Sequence, residues 1–183
     1  MKRIVLIVSG VLAVSASAFA QTPAETIERA LMAAPRNMKE GAAVIKFKAD
    51  GTYDTLKPGT NRMVCYDRSG EPGQQPFAVQ CTSVANIPRV VQNRKFEAMA
   101  DKDARKVALD AAEKDGTRVK PEYGSVWLTM NAADKEHAMR VHSTVAVPGA
   151  TTASTGLPSD NKQGGVWIMN AGTTTAHLMT PGS

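Results

Sequence analysis

The chain has 183 residues and a formal net charge of +5, from 22 Lys and Arg against 17 Asp and Glu. The signs are interleaved, as in Lys102-Asp103 and Glu113-Lys114-Asp115, and this excludes the dense basic face of a nucleic-acid binder. With two Trp, three Tyr and four Phe, the core must lean on Val, Ile, Leu, Met and Ala; the length fits one domain able to bury it.

Residues 1–20 read as a secretory signal peptide. Lys2 and Arg3 form the positive end, residues 4–14 are an apolar run, and Ala18-Phe19-Ala20 supplies small residues for cleavage. The run is shorter than the roughly 20 apolar residues of a spanning helix. The expected product is residues 21–183, a single domain in the periplasm or outside the cell. The leader holds two of the bases and no acid, which leaves +3 on the product. No transmembrane segment is expected after cleavage.

Thr22-Pro23-Ala24-Glu25 is a capping box with proline at the first helical position. Ile27, Ala30, Leu31 and Ala34 follow at helical spacing, so a short N-terminal helix is expected over 23–34. Strand patterns follow at 43–48 and 52–56, joined by Asp50-Gly51, a strong hairpin signal. Two more fall at 62–67 and 76–82. The expected arrangement is an antiparallel meander of four strands. Cys65 and Cys81 are the only cysteines. In an exported chain they are expected to form one disulfide, since the residues between them include Gly70, Pro72, Gly73 and Pro76 and can turn back. The C-x-x-C spacing of a redox pair is absent.

Residues 88–116 read as a central helical segment in two pieces. Val90, Val91, Phe96 and Met99 are the apolar positions of the first; Val107, Ala108, Ala111 and Ala112 are those of the second, which Gly116 stops. Strands return at 126–131, 138–147 and 166–169. Between the last two lies a Gly/Thr-rich loop, 148–165, expected to be flexible or to cover a ligand. The fold class is therefore α+β, with an antiparallel sheet in two groups of strands, an N-terminal helix and the central helical segment.

One register repeats. Gly124-Ser125-Val126-Trp127-Leu128 and Gly164-Gly165-Val166-Trp167-Ile168 match at an offset of forty, and an ungapped continuation aligns His137 with His177 and Met139 with Met179. Within an H-x-M triplet on a strand, His and Met share a face. Imidazole and thioether together suit copper, especially Cu(I), so His137, Met139, His177 and Met179 are candidate metal ligands, with His142 as an extra donor. The competing reading is packing: His137, Met139, Val141 and Val145 share one parity, as a core strand would. Trp127, Trp167 and Tyr123 are candidate stacking residues for a sugar or aromatic ligand.

No G-x-S-x-G elbow, H-E-x-x-H pair, P-loop, dinucleotide fingerprint or C-x-x-C-H haem site occurs in the chain. The expectation is an exported, non-enzymatic binding module for a small ligand or an envelope protein, contacted through the 148–165 loop and the Trp-bearing strands. The alternatives are a periplasmic copper-binding protein and an enzyme without a recognisable motif. No other cofactor is indicated.

Overall fold

The structure, a computed structural model, describes residues 21–182. The expected leader at 1–20 lies outside the described residues. Four helices, α1 (Pro23–Ala30), α2 (Ile87–Glu97), α3 (Lys102–Lys114) and α4 (Thr152–Thr155), accompany eight strands. The strands are β1 (Ala43–Phe47), β2 (Tyr53–Lys57), β3 (Met63–Asp67), β4 (Phe77–Ser83), β5 (Val126–Ala132), β6 (His142–Ala146), β7 (Trp167–Met169) and β8 (His177–Met179). All eight join one sheet in the order β2-β1-β3-β4-β5-β6-β8-β7. The class is α+β, as the segment pattern implies.

Two features of the expected sheet are corrected. The strands form one sheet rather than two groups, because β4 and β5 pair from Phe77↔Ala132 to Thr82↔Trp127 across the inserted helices. The sheet is also mixed, because β1 and β3 run parallel, with Ala43 opposite Val64 and Val44 opposite Cys65. The cause lies in the link after β2. Gly59 passes so close to β1 that an added Cβ would sit 2.6 Å from the Ala43 backbone nitrogen. The amides of Thr60 and Asn61 then both donate to the Gly41 carbonyl, at 2.8 and 3.0 Å. The chain thus crosses to the far side of β1 instead of folding back on β2.

The local signals hold. The Thr22 hydroxyl accepts from the Glu25 amide at 3.2 Å, and the Glu25 carboxylate accepts from the Thr22 amide at 2.8 Å, so the capping box satisfies two donors that a helix start leaves open. Cys65 and Cys81 are bonded across directly opposed positions of β3 and β4. The expected strand at 138–147 is shorter, 142–146. Its first residues are held in a turn instead, where Asp134 accepts from the His137 amide at 2.9 Å. Segment 148–165 contains α4, capped by Thr151 and ended by left-handed Gly156.

Strand alternation divides the core between two faces. On one, α1 and the 3-10 turn after it bury Ala30, Ala33 and Ala34 against Val44, Cys65, Val79, Cys81 and Leu128. On the other, α2 sets Val90 and Ile87 over Ile45, Val64, Tyr66 and Trp127. A third cluster, Val147, Ala150, Ile168 and Ala176, closes the β7–β8 end. Each fully buried large apolar side chain is worth about 1.5–3 kcal/mol, so both faces contribute. α3 lies outermost, against α2. Among the described residues, no helix is long and apolar enough to cross a membrane.

Candidate functional site

The α2 side of the sheet is only partly filled. Between α2 and strands β4, β5, β6 and β8 lies a cavity of about 260 Å³. Ladder register decides what faces it. Gln80 pairs with Thr129, and Thr129 with His142. One step along, Trp127 pairs with Thr144, and Ala146 pairs with His177 on the next strand. Because alternate residues point to opposite faces, all of these look toward α2, while Cys81, Leu128 and Ser143 look toward α1. Arg89 and Asn93, one turn apart on α2, form the opposite wall.

Arg89 is the unusual member, at 3 % exposed. Its Nε donates to Asn93 Oδ1 at 3.1 Å, Nη1 to Thr174 Oγ1 at 3.0 Å and to the Val119 carbonyl, and Nη2 to Thr175 Oγ1 at 2.8 Å. Every one of these partners is neutral. A guanidinium carries five N–H donors, so one on Nη2 is left over. Burial, and then the like charge of Arg118, pull its proton affinity down to about 10. Arg118 is itself buried and donates to Gln92 and Asn93, again neutral groups. The nearby acid, Glu113, engages its two oxygens with the Thr174 amide and hydroxyl, at 2.5 and 2.7 Å.

The strand side is a chain of neutral groups. Burial raises the Tyr66 phenol well above its ordinary range, so it stays protonated and donates to Gln80 Oε1 at 2.5 Å. Gln80 Nε2 in turn donates to Thr129 Oγ1 at 3.0 Å. The Thr129 hydroxyl hydrogen is then available to the cavity. His177 Nδ1 lies 2.8 Å from the Thr175 carbonyl. That acceptor requires a proton on Nδ1 and leaves Nε2 as the lone-pair nitrogen of the neutral ring.

The structure brings some of the expected residues together and separates others. Trp127, His142 and His177 line this one cavity. Tyr123 is 68 % exposed and borders a different hollow with Arg62 and Glu122. Trp167, on β7 opposite Met179, is outside the cavity lining. His137 and Met139 sit in the β5–β6 loop; Met139 is 90 % exposed and the His137 ring bonds Asp134 at 2.6 Å. Met179 is buried on β8. Among the described residues, no three His, Cys, Asp or Glu side chains are grouped to hold a metal ion.

Strand pairing also re-reads the repeat. His177 lies opposite Met169, two residues after Trp167. The residue opposite Thr129, two after Trp127, is His142. By hairpin register, His142 is therefore the counterpart of His177, five positions beyond the His137 of the ungapped count, because the β5–β6 connection is the longer. The two hairpins sit back to back, β5-β6 against β8-β7, and their matched histidines meet at one cavity.

Sequence reading missed Arg89, Gln80, Thr129 and Thr144. The available signal was small: Arg89 directly precedes Val90 and Val91, apolar positions of the segment, where a charge is out of place. A larger hollow of about 460 Å³ opens between the 48–51 turn and α2, but the buried charges there pair internally, Arg68 with Glu71 and Glu97 and Arg94 with Glu71. The smaller cavity, with its unpaired cation, is the better candidate. Comparison of the chain with models of protein families, with curated proteins and with solved structures found no match to any of them.

Proposed function

We propose that this chain is an exported, non-catalytic binding module of the periplasm or cell exterior, and that its site is the cavity between α2 and β4, β5, β6 and β8. One observation carries the reading: a recognition set of a guanidinium, two amides, three threonine hydroxyls, two imidazoles and an indole converges on one preformed cavity. Small-molecule sites combine an apolar wall with a few placed polar groups in this way. Trp127 supplies the wall, and the Tyr66–Gln80–Thr129 chain fixes the polar groups in place. Export is supported by the leader pattern in the sequence and by the Cys65–Cys81 bond, which persists in oxidising compartments.

The test uses the two tryptophans. A Trp167→Phe variant leaves Trp127 as the sole indole, so its emission reports the cavity. A library of small acids, amines, amides and sugars, and Cu(I) held reduced by ascorbate, is titrated into the exported protein. The expected result is a saturable change in Trp127 emission with one class of compound, and an N-terminus at Gln21 by mass spectrometry. No response to any class overturns the binding site, and recovery of uncleaved cytoplasmic protein with reduced cysteines overturns the export. A response to Cu(I) alone, abolished by His142→Gln and His177→Gln together, replaces the small-ligand reading with the metal one.

A further inference from the structure

We infer that the ligand of this cavity carries an oxyanion, a carboxylate or a phosphate, seated on Arg89; the inference rests on the binding reading above. Three features of the cavity lead to it. The Arg89 guanidinium is buried among neutral partners, with no ion pair among the described residues. A buried charge of this kind calls for an opposite charge, and the described residues do not provide one at contact distance. Glu113 reaches Arg89 only through Thr174, whose hydroxyl accepts from Arg89 and donates to the carboxylate. Arg118 adds a second buried cation, sharing Asn93 Oδ1 with Arg89.

Two further donors suit the same guest, while His177 Nε2, an acceptor in the neutral ring, suits a donor elsewhere on it. The spare Nη2 donor and the Thr129 hydroxyl are both donors in need of acceptors, and an oxyanion presents several acceptor lone pairs at once. Charge-assisted bonds from a guanidinium to a carboxylate or phosphate are also the stronger kind. A cationic ligand or a bare metal ion would meet the Arg89 charge at close range. A neutral ligand would leave that charge uncompensated. Of the three charge classes, only the anion removes the problem that the fold has built in.

The experiment uses matched pairs on the unaltered exported protein. Benzoate and indole-3-acetate are each compared with the corresponding neutral amide, and inorganic phosphate is titrated separately, all by calorimetry, with Trp127 emission followed in parallel in Trp167→Phe. The expected result is that at least one oxyanion binds and that its neutral partner binds at least tenfold more weakly. Binding of the carboxylates alone, or of phosphate alone, identifies the source of the oxyanion. In Arg89→Met the preferred oxyanion is expected to lose at least tenfold in affinity. Should that variant not fold, the acid–amide comparison on the unaltered chain decides by itself. Equal affinity of acid and amide, or neutral ligands binding where no oxyanion does at millimolar concentration, overturns this inference and leaves the binding site standing. Failure of every class of compound overturns both.

Discussion

Asn86 offers the sharpest test of how the site is held. It is fully buried at the entry to α2, three residues before Arg89. Its Nδ2 donates to Thr82 Oγ1 at 2.8 Å and to Ser125 Oγ at 2.9 Å, and its Oδ1 accepts from the Glu122 amide at 2.7 Å. One side chain thus ties β4, the turn before β5 and the helix that carries Arg89. The three bonds are not equal when Asn86→Ala removes them. The Thr82 and Ser125 hydroxyls keep their own acceptors, the carbonyls of Val126 and Glu122, so each loses an incoming donor at about 0.5 kcal/mol. The Glu122 amide, aimed at the buried Asn86 side chain, loses its acceptor, at about 2 kcal/mol. The sum is about 3 kcal/mol, before any cavity term. Urea unfolding should show a lower midpoint with an unchanged slope, since the exposed surface does not change. A loss below about 1 kcal/mol would refute the claim that an orphaned donor dominates. Asn86→Asp keeps the acceptor for Glu122 but faces two hydroxyl oxygens with a carboxylate, so its cost should shrink on acidification, when the protonated carboxyl can donate again.

Replacing both cysteines with alanine opens a loop of sequence separation 16, which should cost about 3 kcal/mol in the chain-entropy model; an unfolding free energy unchanged from the oxidised protein would contradict that. The Glu25 carboxyl is held below its ordinary 4.5, first by the Thr22 amide and then by its hydroxyl. A depressed carboxyl contributes stability that is full above 4.5 and lost as pH falls through the lower folded value. The Thr22 and Glu25 amide resonances should therefore move in acid and not in Glu25→Gln, and equal movement in both proteins would rule out the capping box as the cause. Gly59→Ala forces a Cβ against the Ala43 backbone, 2.6 Å away. It should cost about 1–3 kcal/mol, and a stability equal to the parent would mean that the crossover is looser than drawn.

What was legible in the sequence is what neighbouring residues decide. The capping box, the Asp50-Gly51 hairpin, the two helices in 88–116 and the disulfide each depend on a short segment or, for the cysteines, on their number. The parallel β1–β3 pairing depends on one glycine letting two backbones approach, and no periodicity records that. The pattern at 138–147 overruns β6 because those residues alternate well, while Asp134 bends the first of them into a turn. That same turn lengthens the connection and moves the histidine match from His137 to His142. The tryptophans pointed to the right hairpins, but only pairing shows which histidines answer each other. Arg89 was invisible for a further reason. A charge inside an apolar helical face reads as noise until the partners around it are seen to be neutral.

Position 89 also separates a structural arginine from a functional one. A structural cation in a core pairs with an acid, and deleting it strands that acid at a cost of about 3–5 kcal/mol. At Arg89 the nearby acid, Glu113, makes no direct contact: it attracts the guanidinium through space and keeps both its bonds to Thr174 when the arginine is removed. In Arg89→Met, Asn93 Oδ1 keeps its bond from Arg118 and Thr174 keeps its bond to Glu113, so the Val119 carbonyl is the main group left short. Against that small loss, and the lost through-space attraction to Glu113, stands relief from a buried charge and from its repulsion with Arg118. The stability of Arg89→Met should therefore stay within about 1 kcal/mol of the parent, on either side. Calorimetric and urea unfolding without ligand measure this directly. A loss above about 3 kcal/mol would make Arg89 a structural strut. An unchanged or raised stability, together with lost oxyanion binding, would show a charge kept in the core against the interest of the fold, which is the pattern of a residue held for its ligand.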